Sequence, residues 1–418
     1  MDIFWTVVRE WAEFAVRWLH LTTAIAWIGS SFYFIALDLG LRPSTDRRSG
    51  VSGEAWQVHG GGFYFIQKYM VSPARLPSEL TWFKWESYAT WLTGAAMLIL
   101  VYWLGSELYL IDPAKAELAP WLAILISGAS LTIGWLVYDT LCKSGLAERP
   151  TALMVLLFVL LLAMGWAYNQ IFTGRAVLLH LGAFTATIMT ANVFFIIMPN
   201  QRIVVGDLKA KRTPDAKYGK IAKLRSTHNN YLTLPVIFLM LSTHYPLAFA
   251  SQWNWLIAGL VFLMGVTIRH FFNSHHAHQG YKWWTWPITV ALFLAAMWLS
   301  SLGLAFESYD ESEARGFTAH EERFAAAEGF EDVAGLVMGN CSMCHAREPV
   351  WEGILRAPRH VFLEEDGDIA RHAEQIYAQA GRSNAMPPGN ITDVSMEDRE
   401  VLARWYEGAT GQKRHWLW

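Results

Sequence analysis

The sequence contains few charged residues and few cysteines. Only 17% of its 418 residues are Asp, Glu, Lys or Arg, and 53% are hydrophobic, whereas soluble domains average about 25% charged residues. Three cysteines cannot build a disulfide framework. No basic stripe suits a nucleic acid, so we expect no nucleic-acid partner. This composition indicates that most of the chain is surrounded by a lipid bilayer.

The low charge is confined to the part of the chain before residue 306. Apolar runs of about 20 residues are long enough to span a bilayer as helices. Eight such runs lie at 12–37, 86–106, 118–138, 151–170, 176–197, 230–249, 253–271 and 286–306. We therefore predict an all-α fold, with an eight-helix transmembrane bundle over 1–306. An acidic linker at 307–320 and a separate C-terminal domain at 321–418 follow it.

Lysine and arginine are distributed unequally between the two sets of loops. If the N-terminus is outside, the internal loops hold eighteen of these residues and the external side holds three, namely Arg9, Lys115 and Arg175. Cytoplasmic loops carry the excess of positive charge in membrane proteins. This asymmetry predicts an external N-terminus, and the even number of spans predicts an external C-terminal domain.

A C-x-x-C-H motif at Cys341, Cys344 and His345 is typical of covalent haem attachment. The two thiols would form thioethers with the haem, and His345 would bind the iron. Met386, followed by two prolines, is the candidate second iron ligand. A zinc site would need two more ligands close by, and a redox C-x-x-C would lie in a βαβ pattern. Neither pattern is visible.

The flanks of this motif resemble a class I cytochrome c domain. A helix is predicted from Glu321 to Met338, and a closing helix is predicted through Leu402, Trp405 and Tyr406, with its start at Ser395. Because covalent haem is attached outside the cytoplasm, the motif agrees with the distribution of charge. We therefore expect a multi-pass protein of a bacterial inner membrane with its haem c domain in the periplasm.

Ionisable residues inside the bundle are functional candidates because their burial in lipid is costly. One group is predicted near the outer face and comprises Arg17, His20, Arg175, His180 and His244. Its members could bind a substrate or a non-covalent b-type haem. Alternatively, the arginines extend to lipid headgroups and the histidines hydrogen-bond within the bundle.

A second group is predicted at the inner face. It comprises His59, which precedes three glycines, together with Glu86, His228, Asn229 and Asn230. These side chains offer donors and acceptors to a planar polar anion, and glycine lets a ligand approach the backbone. The alternative is that they are solvated loop residues. No mononuclear metal site is evident in the sequence.

Several stretches of the membrane part resemble the membrane-bound, cytochrome-c-containing urate oxidases of bacteria. The resemblance covers the whole chain, eight spans followed by the cytochrome domain. It rests on Trp27-Ile28-Gly29-Ser30-Ser31-Phe32-Tyr33-Phe34, His59-Gly60-Gly61-Gly62-Phe63-Tyr64, Trp82-Phe83-Lys84-Trp85-Glu86, His228-Asn229-Asn230-Tyr231-Leu232-Thr233-Leu234-Pro235 and Ser242-Thr243-His244-Tyr245-Pro246.

The resemblance implies an oxidoreductase that converts urate to 5-hydroxyisourate with oxygen from water. Two electrons would leave through haem c to a respiratory cytochrome or terminal oxidase, and no hydrogen peroxide would form. His228, Asn229, His59 and Glu86 would then be the catalytic candidates on the inner face, and a b-type haem could connect that face to haem c. The alternative is a non-catalytic b/c-type cytochrome subunit that conducts electrons from quinol or a partner dehydrogenase.

Overall fold

The chain is mostly helical. The computed structural model describes residues 3–44, 50–70, 73, 76–113, 115–306, 317–354 and 356–411. The helices up to residue 306 are α1 Ile3–Gly40, α2 Trp85–Met97, α3 Ser106–Tyr109, α4 Pro120–Lys143, α5 Pro150–Asn169, α6 Gly174–Ala191, α7 Met198–Lys209, α8 Ala216–Leu241, α9 Pro246–Phe249, α10 Asn254–His276 and α11 Thr285–Phe306.

Helices lie at all eight of the predicted apolar runs. Among the described residues, six helical segments are long and apolar enough to cross a membrane: Val7–Gly40, Pro120–Lys143, Pro150–Asn169, Gly174–Lys209, Asn254–His276 and Thr285–Leu302. The predicted bounds 230–249 are wrong, because α8 ends at Leu241 and a 3₁₀ turn, Ser242–His244, leads to the proline that begins α9. Pro246 lacks the N–H that a continuing helix needs.

The structure is consistent with the predicted all-α class, with a local exception between the first two predicted spans, where strands β1 Val51–His59 and β2 Gly62–Tyr69 form an antiparallel hairpin. Gly60 and Gly61 connect the strands with φ of 58° and 78°. A two-residue turn with two positive φ angles suits the twist of a hairpin and strongly favours glycine. The Gly60-Gly61 pair, interpreted from the sequence as part of a ligand site, therefore forms the turn.

Helix α6 is the central element of the bundle. It packs against α2, α4, α5, α8 and α10, and most of its residues are buried, including Leu178, His180 and Leu181. A helix enclosed on all sides must satisfy its polar side chains inside the protein. Among the described residues of the bundle, π-helical turns occur at Leu98–Trp103 after α2 and at Asn192–Ile197 between α6 and α7. Such turns are frequent at functional sites.

A small helical domain follows the bundle, and residues 307–316 of the predicted linker lie outside the described part. The helices of this small domain are α12 Ala319–Ala325, α13 Phe330–Asn340, α14 Asp366–Arg371, α15 Ala373–Ile376 and α16 Met396–Thr410. The single helix predicted from Glu321 to Met338 is two helices, because Gly329 adopts a φ of 82° between them. The predicted start of the closing helix is confirmed, since Ser395 caps α16.

Close packing between α8 and α10 requires a glycine at position 265. A Cβ atom there would lie 2.5 Å from Pro235 Cδ. We predict that Gly265→Ala lowers the apparent unfolding temperature in detergent, since overpacking costs about 1–3 kcal/mol. The matched control is Gly219→Ala, where nothing lies within 4 Å of the added atom and alanine favours the helix. Equal unfolding temperatures of the two variants, measured by tryptophan fluorescence, would contradict this packing.

Candidate functional site

The C-x-x-C-H segment follows α13 directly, and the amide of His345 donates to the Cys341 carbonyl at 2.9 Å. His345 Nδ1 lies 3.0 Å from the Val361 carbonyl oxygen. Nδ1–H therefore donates to this carbonyl, which leaves the lone pair on Nε2. Burial lowers the pKa of His345, so the ring is held in the neutral form that binds metals.

The two thiols of this segment are not activated. Burial raises the pKa of Cys341 to about 11, and the nearby Cys344 adds to the effect. Burial also raises the pKa of Cys344. Thiols that perform disulfide exchange have a pKa lowered to about 3.5–7.5. The shift has the opposite direction here, so the electrostatics disfavour a redox C-x-x-C.

A buried arginine holds the loop that carries Met386. Arg399, on α16, is 4% exposed. Its Nη1 donates to the carbonyl oxygens of Ala380, Ser383 and Met386 at 2.7, 3.1 and 2.9 Å. Its Nη2 donates to Asn390 Oδ1 at 2.9 Å. These bonds fix the backbone on both sides of Met386.

One cavity of about 780 Å³ brings these groups together, and Cys341, Cys344, His345 and Met386 all line it. Cavities of about 300–1,000 Å³ are typical of cofactor sites. Two thiols, a free imidazole nitrogen and a thioether around one such volume are the groups that a covalently attached haem needs. The residues present therefore fit a haem c.

The end of the bundle that the charge asymmetry predicts to lie outside, here called the outer end, forms the other wall of this cavity, which includes Arg17, Tyr109 and Arg175. An ion pair of 3.3 Å between Arg9 on α1 and Glu374 on α15 connects the two walls. The cavity thus lies between the bundle and the C-terminal domain.

The three histidines predicted at the outer face do not form a set of free ligands. His180 Nδ1 lies 2.7 Å from the Ala176 carbonyl, and its Nε2 lies 2.7 Å from Ser127 Oγ. His20 Nδ1 is bonded to the Thr90 carbonyl at 3.0 Å, while His244 is exposed on the 3₁₀ turn. With both ring nitrogens of His180 engaged, this geometry gives no support to a b-type haem held by that residue.

The inner half of the bundle contains a connected polar network centred on Asn192. Arg225, fully buried, donates to Asp139 Oδ1 at 2.6 Å and to Asn192 Oδ1 at 3.2 Å. Asn192 Nδ2 lies 2.8 Å from the Tyr138 hydroxyl, which lies 2.8 Å from His228 Nδ1. His228 Nε2 is buried without a hydrogen-bond partner. An unpaired buried imidazole nitrogen is rare and suggests a functional role.

The other inner candidates do not converge on this network, apart from Asn229. Asn229 Oδ1 accepts from Asn192 at 3.0 Å, and its Nδ2 donates to the Met189 carbonyl at 2.9 Å. Successive helix residues point about 100° apart, so Asn230 lies about 200° around α8 from His228. His59 is exposed at the hairpin tip, and Glu86 lies in the first turn of α2.

A pocket of about 430 Å³ shares the π-helical turn of Asn192 with the network. Aromatic rings and two cationic side chains line it, namely Lys84, Trp85, Tyr88, Phe194, Phe195 and Arg202, together with Met198 and Pro199. Phe194 and Phe195 belong to the same π-helical turn as Asn192. This combination of flat apolar walls and positive charge suits a planar anion.

Sequence reasoning missed the partners that complete these sites. Asp139, Tyr138 and Asn192 lie in or beside apolar runs, and polar residues in such runs were a usable signal. Arg225 counted as a loop cation in the charge asymmetry but is buried in an ion pair. Arg399 gives no signal, because its role depends on a loop that folds back onto α16.

A family model described as urate oxidase N-terminal matches residues 6–300. The match covers more than half of the chain. The chain belongs to the urate oxidase N-terminal family. No curated protein and no solved structure matches the chain. The match includes the inner network and the 430 Å³ pocket, and it ends before the C-terminal domain.

Membership of this family indicates an oxidoreductase that acts on urate. Among the residues that the structure describes, no group of three His, Cys, Asp or Glu side chains is placed to hold a metal ion.

We predict that Arg399→Gln loosens the Met386 loop, because three backbone carbonyls lose a charged donor. Hydrogen bonds to charged groups contribute about 1.5–3 kcal/mol, so amide exchange in peptides spanning 377–394 should accelerate about tenfold or more. Arg404→Gln is the control, since Arg404 is exposed on the same helix. Exchange at the wild-type rate in Arg399→Gln would show that the loop does not depend on this arginine.

We predict that Arg225→Met destabilises the bundle, because it removes the buried partner of Asp139 and leaves only the exposed Lys143 paired with it. Breaking a buried ion pair costs about 3–5 kcal/mol, whereas replacing both partners is far less costly. The double variant Arg225→Met/Asp139→Asn should therefore regain much of the lost apparent unfolding temperature. If the single and double variants unfold at the same temperature, the ion pair does not stabilise the bundle.

Proposed function

We propose that this protein oxidises urate to 5-hydroxyisourate and passes the electrons to a haem c attached to Cys341 and Cys344. The observation that carries the proposal is the family match over residues 6–300, which connects the bundle to urate. The cavity that joins the bundle to the C-x-x-C-H segment supports an electron acceptor at its outer end.

The reaction balances without oxygen as a reactant. Urate and one water molecule give 5-hydroxyisourate, two protons and two electrons, so no hydrogen peroxide is formed. A haem c held by Cys341, Cys344 and His345, with Met386 as second iron ligand, would supply a one-electron acceptor of high potential. A respiratory cytochrome or terminal oxidase would be the final acceptor.

The six apolar helices and the charge asymmetry support a place in a bacterial inner membrane. With the eight spans and the external termini that the sequence predicts, the 430 Å³ pocket would lie at the cytoplasmic face and the haem domain in the periplasm. Urate arises in the cytoplasm, so the pocket is on the side of its supply.

We place urate in the 430 Å³ pocket. Urate is a planar anion at neutral pH, and Lys84 with Arg202 would neutralise its charge. The rings of Trp85, Tyr88 and Phe194 offer flat surfaces for stacking, and the Tyr88 and Phe194 rings already lie 5.0 Å apart.

His228 is the proposed proton acceptor. In the tautomer whose Nδ1–H donates to the Tyr138 hydroxyl, Nε2 carries a lone pair and can take a proton as electrons leave. Asn192 connects Tyr138 to the π-helical turn that lines the pocket, so it would position Tyr138 relative to the substrate.

Electrons must then travel from the inner half to the outer end. The rings of Tyr168, His180, Tyr102 and Tyr109 form a packed row, with successive centroids 5.5, 6.3 and 6.2 Å apart, and Tyr109 lines the outer cavity. Tyr168 is hydrogen-bonded to Ser130 on α4. Eight residues of α4 separate Ser130 from Tyr138, a rise of about 12 Å. We propose this row as the route for electrons.

The reaction is tested by counting electrons and tracing oxygen. Purified protein in detergent is given urate under argon with ferricyanide as terminal acceptor, in water enriched in ¹⁸O. We expect two ferricyanide ions reduced per urate, with the label in the product. A requirement for dioxygen, or formation of peroxide, would contradict the proposal.

The location of bound urate is tested with variants that remove a positive charge from the 430 Å³ pocket or from the outer face of the bundle. We predict that Arg202→Gln and Lys84→Gln raise the KM for urate about tenfold or more, since each removes a cationic partner. His228→Gln should lower kcat by about 10²–10⁴-fold, as loss of a general base does. Lys220→Gln is the control, because this exposed lysine lies outside the pocket. An unchanged KM in both pocket variants, with a raised KM in Arg17→Gln, would place urate at the outer face instead.

A further inference from the structure

Three arginines that line the 780 Å³ cavity have a long ion pair or none: Arg17 and Arg175 on the bundle and Arg359 on the C-terminal domain. Arg9 pairs with Glu13 and Glu374. In the part of the chain that the structure describes, Arg175 and Arg359 form no ion pair, and the nearest carboxylate oxygen to Arg17 lies at 3.9 Å. All three arginines line the cavity.

Arg175 is held firmly in the cavity wall. It is the second residue of α6, and its guanidinium lies over the rings of Tyr109 and Phe249 at 5.5 and 5.7 Å. Gly174 permits this packing, because a Cβ atom there would lie 2.0 Å from the Phe249 carbonyl oxygen. Arg175 Nε is buried and has no hydrogen-bond partner.

A second unpaired polar atom lies in the same wall. Asn254 is 1% exposed, and its Nδ2 donates to the Phe249 carbonyl at 3.1 Å. This bond fixes the orientation of the amide, because the opposite orientation would face two oxygens against each other. Asn254 Oδ1 is then left buried and without a partner. Unpaired buried donors and acceptors are costly, so this wall is built to receive a polar group.

The chemistry of the proposed haem supplies such a group. Thioether attachment uses the vinyl groups on one side of the macrocycle, and two propionate carboxylates extend from the other side. Arginine binds carboxylates through paired N–H donors. Arg359 also adopts a φ of 56°, a left-handed conformation that L side chains rarely adopt and that clusters at ligand sites.

We propose that Arg175, with Arg17 and Arg359 beside it, binds the propionates of the haem that Cys341 and Cys344 hold. The donor for Asn254 Oδ1 is a carboxyl proton or a water molecule bound to the carboxylate. The bundle thus completes a haem site whose iron ligands belong to the C-terminal domain. The inference rests on the haem of the proposed function and is independent of its substrate.

This arrangement makes the haem potential depend on the bundle. A fixed cation near the haem disfavours the additional positive charge of the ferric state and therefore raises the midpoint potential. Removing it should lower the reduction equilibrium constant by up to about tenfold, which is about 59 mV for one electron.

The test uses the full-length, haem-loaded protein in detergent without urate. We expect Arg175→Gln to lower the midpoint potential and to shift the propionate bending bands in the resonance Raman spectrum. Arg175→Lys, which retains the charge, should recover most of the potential. Arg404→Gln removes the same charge from an exposed position outside the cavity and should change neither quantity.

The outcomes separate this inference from the proposed function. An unchanged potential and unchanged Raman bands in Arg175→Gln would overturn propionate binding by the bundle and leave urate oxidation standing. Absence of covalent haem in the wild-type protein would overturn both. If the Arg175 variants behave as expected but the protein does not oxidise urate, only the substrate assignment is overturned.

Discussion

The buried ion pair between Arg225 and Asp139 is the interaction on which the inner half of the bundle depends. Arg225 lies 2.6 Å from Asp139 and also donates to Asn192, and Asn192 in turn contacts Tyr138 and Asn229. A charge in an apolar bundle must be paired, because its desolvation is otherwise prohibitive. The pair therefore fixes the relative positions of α4 and α8 and, with Asn192, of the π-helical turn. His228 is oriented by this network and keeps one ring nitrogen unpaired.

The proposed function divides two tasks between the two ends of the bundle. The inner pocket has aromatic walls and two cations, which suit recognition of a planar anion. The outer cavity combines the thiols and His345 of the C-terminal domain with arginines of the bundle. Helix α6 connects the two regions, since Arg175 lies at its start and the π-helical turn with Asn192 follows its end. In the proposed function, such a division would let a substrate on one side of the membrane reduce an acceptor on the other side.

Much of the fold follows from the sequence, because long apolar runs can satisfy their backbone in lipid only as helices. Haem attachment at Cys341, Cys344 and His345 with Met386 stays a prediction, and the structure places all four residues around one cavity. The sequence could not show that Asp139 pairs with Arg225, because α8 begins well before the apolar run and carries Arg225 into the protein. The role of Arg399 depends on contacts between separate loops and α16. The role of His59 stays a prediction: the structure places it at a hairpin tip, and the glycines that follow it form the turn.

The most direct test of the account is the visible spectrum of detergent-purified protein, oxidised with ferricyanide and then mixed with urate under argon. The account predicts that the α-band of reduced haem c grows in with urate and stays absent with xanthine. A haem that stays oxidised with urate, yet is reduced by a quinol or a partner protein, would contradict it. The chain would then conduct electrons rather than oxidise a purine.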